Sequence, residues 1–437
     1  MEKIILQVAL DFLELDRAIN VAKLAVAGGA DYIEAGTPLI KSEGLDAVRK
    51  LRNLFPDKKI VADMKTMDAG KIETEAAAKA GANFITVSGT ASISTLTECI
   101  ESGNNYGIEI IVDLLGVSDL EGYIKVVDNL GISCLNIHCP IDAQMTGVDP
   151  LENLKKVRFL TTMKLAVAGG LNSENSAFAA EAGADIIIVG GAITKALDPG
   201  KATSDIRKAI DTRRPVHTEF FKRSSSDQVK DILQKVRSSN VSDGAHRLPC
   251  LTDLRPLEYG YKICGPVITV KTVPGDWAKP VEAIDLADKG DIIIIDAGGK
   301  PPAIWGELAT ESAVKKGIAG IIVNGAVRDT ADIRKLKFPV WTRHITSHAG
   351  DPDGLGSINK PIVISSQRIK PGDWVIADDD GVIVLPKERL IELTNRAADV
   401  LESENRIREE IRNSGESLSK VVNLLRWEIK STDIEIG

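Results

Sequence analysis

The sequence predicts an α/β protein of two domains, the first of which is a (β/α)8 barrel. Three observations predict this organisation. The chain has 437 residues, too many for one ordinary hydrophobic core. Eight apolar segments alternate with helical segments inside the first 210 or so residues, and a glycine-containing phrase recurs among them. We expect the barrel at 1–210, a linker at 211–225, and a second domain with a C-terminal helix at 226–437.

The recurring phrase marks helix-to-strand junctions. It reads AGGADYIEAG at 27–36, AGANFITVSG at 80–89 and AGADIIIVGG at 182–191. In each copy glycine suits the left-handed end of a helix, and an apolar strand follows. Continuously apolar strands between helices are typical of a parallel sheet covered on both faces, and eight such units indicate a closed barrel. A doubly wound open sheet is the alternative, but no G-x-G-x-x-G follows the first strand.

Composition excludes several kinds of partner. The net charge is -8 and aromatic residues make up 4% of the chain. Both values argue against a nucleic-acid partner, and the negative charge also argues against an anionic membrane surface. No apolar run approaches the length of a membrane span. The five cysteines form no C-x-x-C pair and their number is odd, which favours reduced thiols in a cytoplasmic protein.

Acids, a lysine and a histidine stand at the ends of four predicted strands. Asp11 ends the first strand, Glu34 lies in the second, Asp63 and Lys65 end the third, and His138 ends the sixth. In a barrel of this class the chemistry takes place at the C-terminal ends of the strands. Any one of these side chains is explained by a salt bridge or a helix cap. Their convergence at one rim favours a catalytic site.

The last two barrel strands end differently. Strand seven ends in AVAGG, with Gly169 and Gly170, and strand eight ends in IIVGG, with Gly190 and Gly191. Paired glycines expose backbone N–H groups, and the helices that follow add positive potential. Strands seven and eight commonly provide the phosphate site of this fold. We therefore expect these glycines to bind a phosphate group, although tight turns alone would also explain them.

The motifs of the first domain together resemble the 3-hexulose-6-phosphate synthase family, within the orotidine-5'-monophosphate decarboxylase superfamily. The motifs are LQVALD (6–11), IEAGTPL (33–39), D-x-K-x-x-D (63–68), the segment from His138 to Asp142, AVAGG and IIVGG. The resemblance implies a Mg²⁺-dependent aldol reaction, with Mn²⁺ as an alternative metal, in the ribulose monophosphate pathway of carbohydrate metabolism. Formaldehyde and D-ribulose 5-phosphate would be joined reversibly to D-arabino-hex-3-ulose 6-phosphate.

The resemblance also implies roles for individual residues. Glu34 and Asp63 would hold the metal, Lys65 would contact the substrate and its enediolate, and Asp11 would bind substrate hydroxyls. Asp68 would enter the site of a neighbouring subunit, so the barrel would dimerise. A proton must move at the substrate hydroxyl, and His138 or Asp68 suits that transfer. The HCPID segment, with Asp142 as a substrate-binding residue, departs from the glycine-containing turn that is usual in the family.

Two decarboxylases of the same superfamily are the alternatives for the barrel. Orotidine-5'-monophosphate decarboxylase shares D-x-K-x-x-D without a metal, but the IEAGTPL segment fits it poorly. Keto-gulonate-phosphate decarboxylase shares the glutamate and usually carries an arginine shortly after the histidine. Here His138 is followed by CPID. The missing arginine favours the synthase.

The second half contains a different motif. GELATES at 306–312 is followed by IIVNGAVRD at 321–329, with Glu307 before Arg328 and Asp329. Arginine matches a carboxylate with its planar fork, and aspartate suits Mg²⁺. An isolated Arg–Asp surface pair is the plainer explanation of the last two residues. The histidines of HITSH (344–348) are expected to be structural.

The longer pattern resembles the family of the regulator of ribonuclease activity A and the class II 4-hydroxy-4-methyl-2-oxoglutarate aldolases. The resemblance implies a layered β/β/α fold and trimers or hexamers. Arg328 would bind a pyruvate-like carboxylate, and Asp329 with Glu307 would hold Mg²⁺. The domain would then be an oxo-acid aldolase or decarboxylase, which would make the enzyme bifunctional. A protein-binding regulatory module is the alternative.

Overall fold

The first half of the chain forms a closed barrel of eight parallel strands. In this computed structural model, residues 3–219, 221–223 and 228–422 are described. The strands pair in the order β1 to β8, and β8 pairs with β1 to close the barrel. The strands are β1 (Ile5–Leu10), β2 (Tyr32–Ala35), β3 (Lys59–Thr66), β4 (Phe84–Ser88), β5 (Glu109–Asp113), β6 (Cys134–His138), β7 (Lys164–Ala168) and β8 (Ile186–Val189). The predicted (β/α)8 barrel is confirmed.

Helices connect the strands around the outside. They are α1 (Leu15–Ala27), α2 (Thr37–Glu43), α3 (Asp46–Leu54), α4 (Gly70–Lys79), α5 (Ile93–Tyr106), α6 (Leu120–Val127), α7 (Ile141–Met145), α8 (Pro150–Arg158), α9 (Asn175–Glu181), α10 (Gly191–Thr194) and α11 (Pro199–Thr212). Several begin with a side-chain cap; Ser92, for example, accepts a hydrogen bond from the Thr95 N–H at the start of α5. α11 runs two residues into the segment that the sequence assigned to the linker.

The barrel has two apolar layers that leave its upper rim polar. The main core lies between the strands and the helices. A smaller cluster fills the inside of the barrel and includes Val61, Phe84, Ile111 and Cys134. Alternate residues of each strand face inward, so the residues two positions further along the same strands reach the C-terminal rim. This alternation is what brings the predicted catalytic residues together.

The second half forms a mixed sheet with helices on its faces. The strands are β9 (Arg255–Pro256), β10 (Ile263–Lys271), β11 (Ile292–Asp296), β12 (Ala303–Trp305), β13 (Gly320–Val327), β14 (Val340–Ile345), β15 (Ser357–Ile358), β16 (Ile362–Ile364), β17 (Gln367–Ile369), β18 (Trp374–Ala377) and β19 (Val382–Leu385). Nine of them form one sheet with the central order β19-β18-β10-β11-β13-β14-β9, while β16 and β17 form a hairpin.

The helices of the second half are shorter except for the last long one. They are α12 (Val229–Lys235), α13 (Ser238–Gly244), α14 (Ala278–Leu286), α15 (Glu307–Lys316), α16 (Thr330–Lys335), α17 (Leu390–Ser414) and α18 (Leu418–Val421). The helix expected near 227–245 is divided in two at Val236, which has an extended backbone. Among the helices described, none combines the length and the apolar composition that crossing a bilayer requires.

The chain divides into two compact units. Among the described residues, the first unit contains the barrel up to Arg223 together with 402–422, and the second contains 228–401. The sequence assigned the whole C-terminal helix to the second domain, whereas the division falls inside α17. The contacts of its second half explain this: Glu402 accepts a hydrogen bond of 2.6 Å from the Phe221 N–H, and Arg17 pairs with Glu410.

Candidate active site

Asp63 is the centre of the polar cluster at the barrel rim. Its side chain is buried at 6% exposure and accepts three hydrogen bonds. The donors are the Thr86 hydroxyl at 2.5 Å, the Thr37 hydroxyl at 2.6 Å and the Lys65 ammonium at 3.0 Å. Threonines from β4 and α2 therefore fix the orientation of the carboxylate. The sequence predicted Asp63 but not its two threonine partners.

A break in the register of β3 presents Lys65 to the site. The register with β4 shifts between Ala62 and Thr66, and Lys65 has a left-handed backbone with φ of 47°. Its N–H donates to the Thr86 hydroxyl at 3.1 Å. We expected Lys65 to share a face with Asp63 through regular strand alternation, but the bulge does this instead. Left-handed residues other than glycine are strained and occur preferentially at functional sites.

Lys65 also contacts Asp113, a residue that the sequence analysis missed. Asp113 ends β5, is 1% exposed and accepts from the Lys65 ammonium at 2.8 Å. The same carboxylate oxygen, Oδ2, also meets the His138 Nδ1 atom at 2.8 Å, and the other oxygen accepts from the Leu115 N–H at 2.9 Å. The signal was present in the sequence, because IIVDLLG places an acid at the end of strand five as VADMK does at strand three.

The charges of the cluster lower the pKa of Asp113 and raise the pKa of Lys65 relative to the isolated groups. Burial alone would raise the pKa of Asp113, but the hydrogen bonds and charges of His138 and Lys65 lower it to about 2. Burial alone would lower the pKa of Lys65, but Asp63 and Asp113 raise it above its ordinary value. Asp113 is therefore ionised and Lys65 is protonated at neutral pH.

Glu34 has the opposite electrostatic situation. It lies in β2 at 6% exposure, and its carboxylate accepts from the Gln7 amide at 2.5 Å. Burial, then the charges of Asp63 and Asp11, raise the pKa of Glu34 well above its usual range. The pKa of Asp11 is also raised, because protein atoms displace part of its hydration and Asp63 repels it. These carboxylates together form a region that an added positive charge would stabilise.

The four glycines predicted to bind phosphate follow β7 and β8. Gly169 and Gly170 have φ of 99° and 72°, and a Cβ at Gly169 would lie 2.3 Å from the Cys139 carbonyl oxygen. Gly190 and Gly191 stand at the start of α10, and a Cβ at Gly191 would meet open space. The tight backbone therefore requires glycine at 169, while the open side of Gly191 leaves room for a ligand.

Two predicted residues, Asp68 and Asp142, are exposed to solvent. Asp68 is exposed in the loop after β3, and its carboxylate accepts from the Ala69 N–H at 2.7 Å. Asp142 is exposed in α7. Asp11, Glu34, Asp63, Lys65 and His138 are brought together by their mutual bonds and charges.

The second unit brings its own predicted residues together. The Glu307 N–H donates to the Asp329 carboxylate at 3.2 Å, and the Arg328 guanidinium lies 3.5 Å from the same carboxylate oxygen. A Cβ at Gly306 would lie 2.5 Å from that oxygen. Asp329 has a left-handed backbone with φ of 56°. The start of α15 and the end of β13 therefore form one polar corner that remains accessible to solvent.

A second polar group in this unit was not predicted. The Asp296 carboxylate, at the end of β11, is 4% exposed and pairs with the Lys271 ammonium. It also accepts from the Asn324 amide at 2.8 Å and the Gly298 N–H at 3.1 Å. The segment IIIIDAGG carries the same signal as the barrel strands, an acid directly after an apolar run.

Among the residues described, neither the barrel cluster nor the polar groups of the second unit provide three side chains that could hold a metal by themselves. Within the described ranges, no set of three or more His, Cys, Asp or Glu side chains is arranged to hold a metal ion. Mg²⁺ commonly uses one or two carboxylates and takes its other ligands from substrate oxygens and water. Glu34 and Asp63 provide two carboxyl groups of this kind. The charge of Asp63 contributes to the raised pKa of Glu34, and a divalent cation would relieve this repulsion.

Comparison with known proteins agrees with this arrangement. The family model described as "Orotidine 5'-phosphate decarboxylase / HUMPS family" matches residues 5–206, and the model described as "Aldolase/RraA" matches 238–384. The 3-hexulose-6-phosphate synthase of Methylomonas aminofaciens is 39% identical over 201 residues, covering 46% of this chain and 96% of that protein. The synthase of Mycobacterium gastri is 37% identical over 205 residues, covering 47% and 99%.

A solved structure matches a similar share of the chain. The 3-hexulose-6-phosphate synthase from Salmonella typhimurium is 33% identical, and the match covers 48% of this chain and 99% of that one with a TM-score of 0.47. Each of these three matches covers less than half of the chain.

The barrel and the sequences of its relatives define an enzyme of the lyase class. Through its first domain the chain belongs to the orotidine 5'-phosphate decarboxylase / HUMPS family, and an Aldolase/RraA domain follows it in the same chain.

Proposed function

We propose that the barrel joins formaldehyde and D-ribulose 5-phosphate reversibly to give D-arabino-hex-3-ulose 6-phosphate. The observation that carries this proposal is the bonded set of Asp63, Lys65, Asp113 and His138 in a domain 39% identical to a named synthase of this reaction. The condensation needs a base for the carbon acid, a cation for the enediolate and a proton donor for the new hydroxyl. The cluster contains a group for each role.

The base is His138. Its Nδ1 atom faces the ionised Asp113 carboxylate, which keeps the ring proton on Nδ1 and leaves the lone pair on Nε2. In the condensation Nε2 takes the proton from C1 of the ketose, and the electron pair becomes the enediolate. C1 then forms the new bond to the formaldehyde carbon, and the former aldehyde oxygen takes the proton back from the His138 imidazolium. Asp113 thus stabilises the imidazolium while the proton is held.

Lys65 stabilises the enediolate. The raised pKa of Lys65 keeps its ammonium charged, and Asp63 and Asp113 hold it from two sides. A fixed ammonium at low solvent exposure stabilises developing negative charge more strongly than a mobile one. The same cation is available in the reverse direction, in which cleavage of the hexulose phosphate produces the enediolate.

Mg²⁺, or Mn²⁺ in its place, would be held by Glu34 and Asp63. A divalent cation supplies Lewis-acid stabilisation to an enediolate oxygen. The raised pKa of Glu34 supports this assignment, because a nearby cation favours its ionised form. The exposed glycine N–H groups after β7 and β8 would bind the phosphate, and Asp11 and Asp142 the substrate hydroxyls.

The subunit arrangement is part of the proposal. Asp68 is exposed and stands outside its own cluster, which supports a role in the site of a second copy of the barrel. Met67 beside it and Ile72 on α4 are 53% and 70% exposed, as expected of a dimer surface. We propose trimers or hexamers through the second domain. The five free thiols support a cytoplasmic location.

The first experiment measures formaldehyde consumption with ribulose 5-phosphate, with and without Mg²⁺. Wild type should consume formaldehyde only with the metal, and Asp63→Ala should lose the activity. Asp57→Ala is the control, because Asp57 is an exposed carboxylate in the turn before β3. No consumption with any divalent metal would reject the synthase. Carbon dioxide release from orotidine or keto-gulonate phosphates would then support the decarboxylase alternatives.

For the second domain we propose Mg²⁺-dependent cleavage of a hydroxy-oxo acid, aldol or decarboxylating. Arg328 would bind the pyruvate-like carboxylate, and Asp329 with Glu307 would hold the metal. The corner formed by Gly306, Arg328 and Asp329 supports this, because it combines a guanidinium and a carboxylate that are both accessible to solvent. Pyruvate release from 4-hydroxy-4-methyl-2-oxoglutarate tests it. A protein-binding regulatory role would leave all such acids uncleaved.

A further inference from the structure

Asn136 faces the inside of the barrel directly below His138. It lies in β6 two residues before His138 and two after Cys134. Cys134 belongs to the apolar cluster inside the barrel, and His138 bonds to Asp113 at the rim. Because alternate residues of a strand share a face, the side chain of Asn136 occupies the layer between them.

The carboxamide oxygen of Asn136 is buried without a partner. Asn136 is 4% exposed, and its Oδ1 atom has no hydrogen bond to any of the residues described. Its backbone carbonyl, in contrast, accepts from the Leu114 N–H at 2.9 Å. Most buried polar groups are hydrogen-bonded, and an unpaired one destabilises the fold. A partner that is absent from the protein itself would explain why the fold tolerates this oxygen.

The neighbours of Asn136 in the barrel are a carboxylate on one side and a methyl side chain on the other. In the strand register Asn136 is opposite Asp113 on one side and Ala166 on the other. Ala166, Ala168 and Ala9 belong to the same interior cluster and have only methyl side chains. The Asp113 carboxylate already accepts from Lys65, His138 and the Leu115 N–H. Asn136 therefore borders both the charged cluster and the small-residue side of the barrel.

We propose that Asn136 is a substrate-binding residue whose Oδ1 atom accepts a hydrogen bond from a hydroxyl of the sugar phosphate. This rests on the proposed function of the barrel and adds a specificity determinant to it. An unpaired acceptor is complementary to an O–H group and not to a carbonyl or carboxylate, which are themselves acceptors. Because the ionised Asp113 carboxylate lies beside it, the Asn136 Oδ1 atom favours a substrate with a hydroxyl group at this position over one with a carboxylate.

The test replaces Asn136 by leucine, which has a similar shape and no polar atom. The KM for ribulose 5-phosphate should rise about 10- to 100-fold, with kcat nearly unchanged, since the lost hydrogen bond is made in both the ground state and the transition state. The melting temperature of the ligand-free variant should be equal or higher, because an unpaired buried acceptor has been removed. Inhibition by inorganic phosphate should be unchanged.

Two further variants separate binding from packing. Cys134→Ala changes packing one layer below on the same strand, and its KM should remain that of the wild type. Asn136→Ser retains an acceptor and should recover part of the affinity. Cys134→Ala should lower the melting temperature, because it removes a buried side-chain atom. If Asn136→Leu leaves KM unchanged, or lowers the melting temperature as much as Cys134→Ala, Oδ1 has only a structural role and the proposal is wrong.

A readout without turnover separates this proposal from the synthase assignment. Ribulose 5-phosphate should raise the melting temperature of the wild type, and the rise should be smaller in Asn136→Leu. If the wild type shows neither turnover nor a thermal shift with this sugar phosphate, the synthase assignment fails. If the wild type shows both and Asn136→Leu matches it, the role of Asn136 alone is rejected.

Discussion

Glu34 combines a functional position with an energetic cost. Its carboxyl is buried next to Asp63 and Asp11, and its pKa lies well above the usual range. A carboxyl group whose folded-state pKa is raised contributes most to stability below its unfolded pKa, and that contribution is lost as the pH rises. Without a bound cation, Glu34 therefore destabilises the barrel increasingly as the pH rises above its unfolded-state pKa.

We expect Glu34→Gln to be more stable and less active than the wild type. Without metal, its melting temperature should exceed that of the wild type by an amount that grows from pH 5 to pH 8. Formaldehyde consumption should fall about 100-fold. Mg²⁺ should raise the melting temperature of the wild type but not that of the variant. The exposed Glu98→Gln is the control; equal pH profiles for all three proteins would contradict the electrostatic role of Glu34.

The lowered pKa of Asp113 predicts the opposite effect of pH on stability, a loss at acid pH. Its pKa is lowered to about 2 from 3.8, so its stabilising contribution is present above pH 3.8 and is lost as the pH falls towards 2. The shift corresponds to about 2 kcal/mol. Urea unfolding of Asp113→Asn from pH 6 to pH 3 should show a smaller loss of unfolding free energy than wild type. A variant that loses stability as steeply as wild type would disprove the ion pairs. Asp57→Asn serves as the control.

The sequence predicted the site residues best where a strand ended in a charge. Asp63, Lys65, Glu34 and His138 stand out because an apolar run precedes each of them. Asp113 carries the same signal and was overlooked, since no motif included it. Thr37 and Thr86 have no such signal. Their importance depends on hydrogen bonds across β3, which only the folded register brings about.

At the scale of elements, irregular backbone positions the chemistry. The bulge in β3 directs Lys65 between Asp63 and Asp113, and left-handed glycines end β7. The alternation of apolar strands and helices predicts the strands well. It does not predict a bulge, because a one-residue shift in register depends on the partner strand.

Gly169→Ala tests the backbone after β7. The new methyl group would lie 2.3 Å from the Cys139 carbonyl oxygen, at a φ of 99°. We expect a loss of about 1–3 kcal/mol of unfolding free energy and a higher KM for the sugar phosphate. Chemical denaturation measures the first effect. Gly191→Ala is the matched comparison for stability, since its Cβ meets nothing within 4 Å; equal losses in the two variants would refute the steric explanation.

At the scale of the whole molecule, the barrel cluster around Asp63 and the corner formed by Arg328 and Asp329 belong to different compact units. The presence of two domains could be expected from chain length and from the change of motif after residue 210. The sequence assigned the C-terminal helix to the second domain, whereas the division falls inside it, because a charged amphipathic helix has no pattern that specifies its partner. Pairs such as Arg17 with Glu410 join residues that are 393 positions apart.

Because the two sites that we propose lie in different compact units, substitutions should affect the two proposed activities separately. Asp63→Ala should abolish formaldehyde consumption and leave oxo-acid cleavage unchanged, and Arg328→Ala should do the reverse. Each loss should exceed about 100-fold, since a charged group that contacts the substrate is removed. Assays of both reactions on each full-length variant measure this. Simultaneous loss of both activities in either variant would show that the two sites depend on one another.

The lining of the barrel is chemically unequal, and this has a stereochemical consequence. The acids, the lysine and the histidine come from β1 to β6, whereas Ala166, Ala168 and Ile188 on β7 and β8 are apolar. In the reaction that we propose, a planar enediolate bound between these walls would meet proton carriers on one face only. In deuterium oxide, ribulose 5-phosphate without formaldehyde should therefore exchange one of its two C1 hydrogens, and the labelled carbon should have a single configuration.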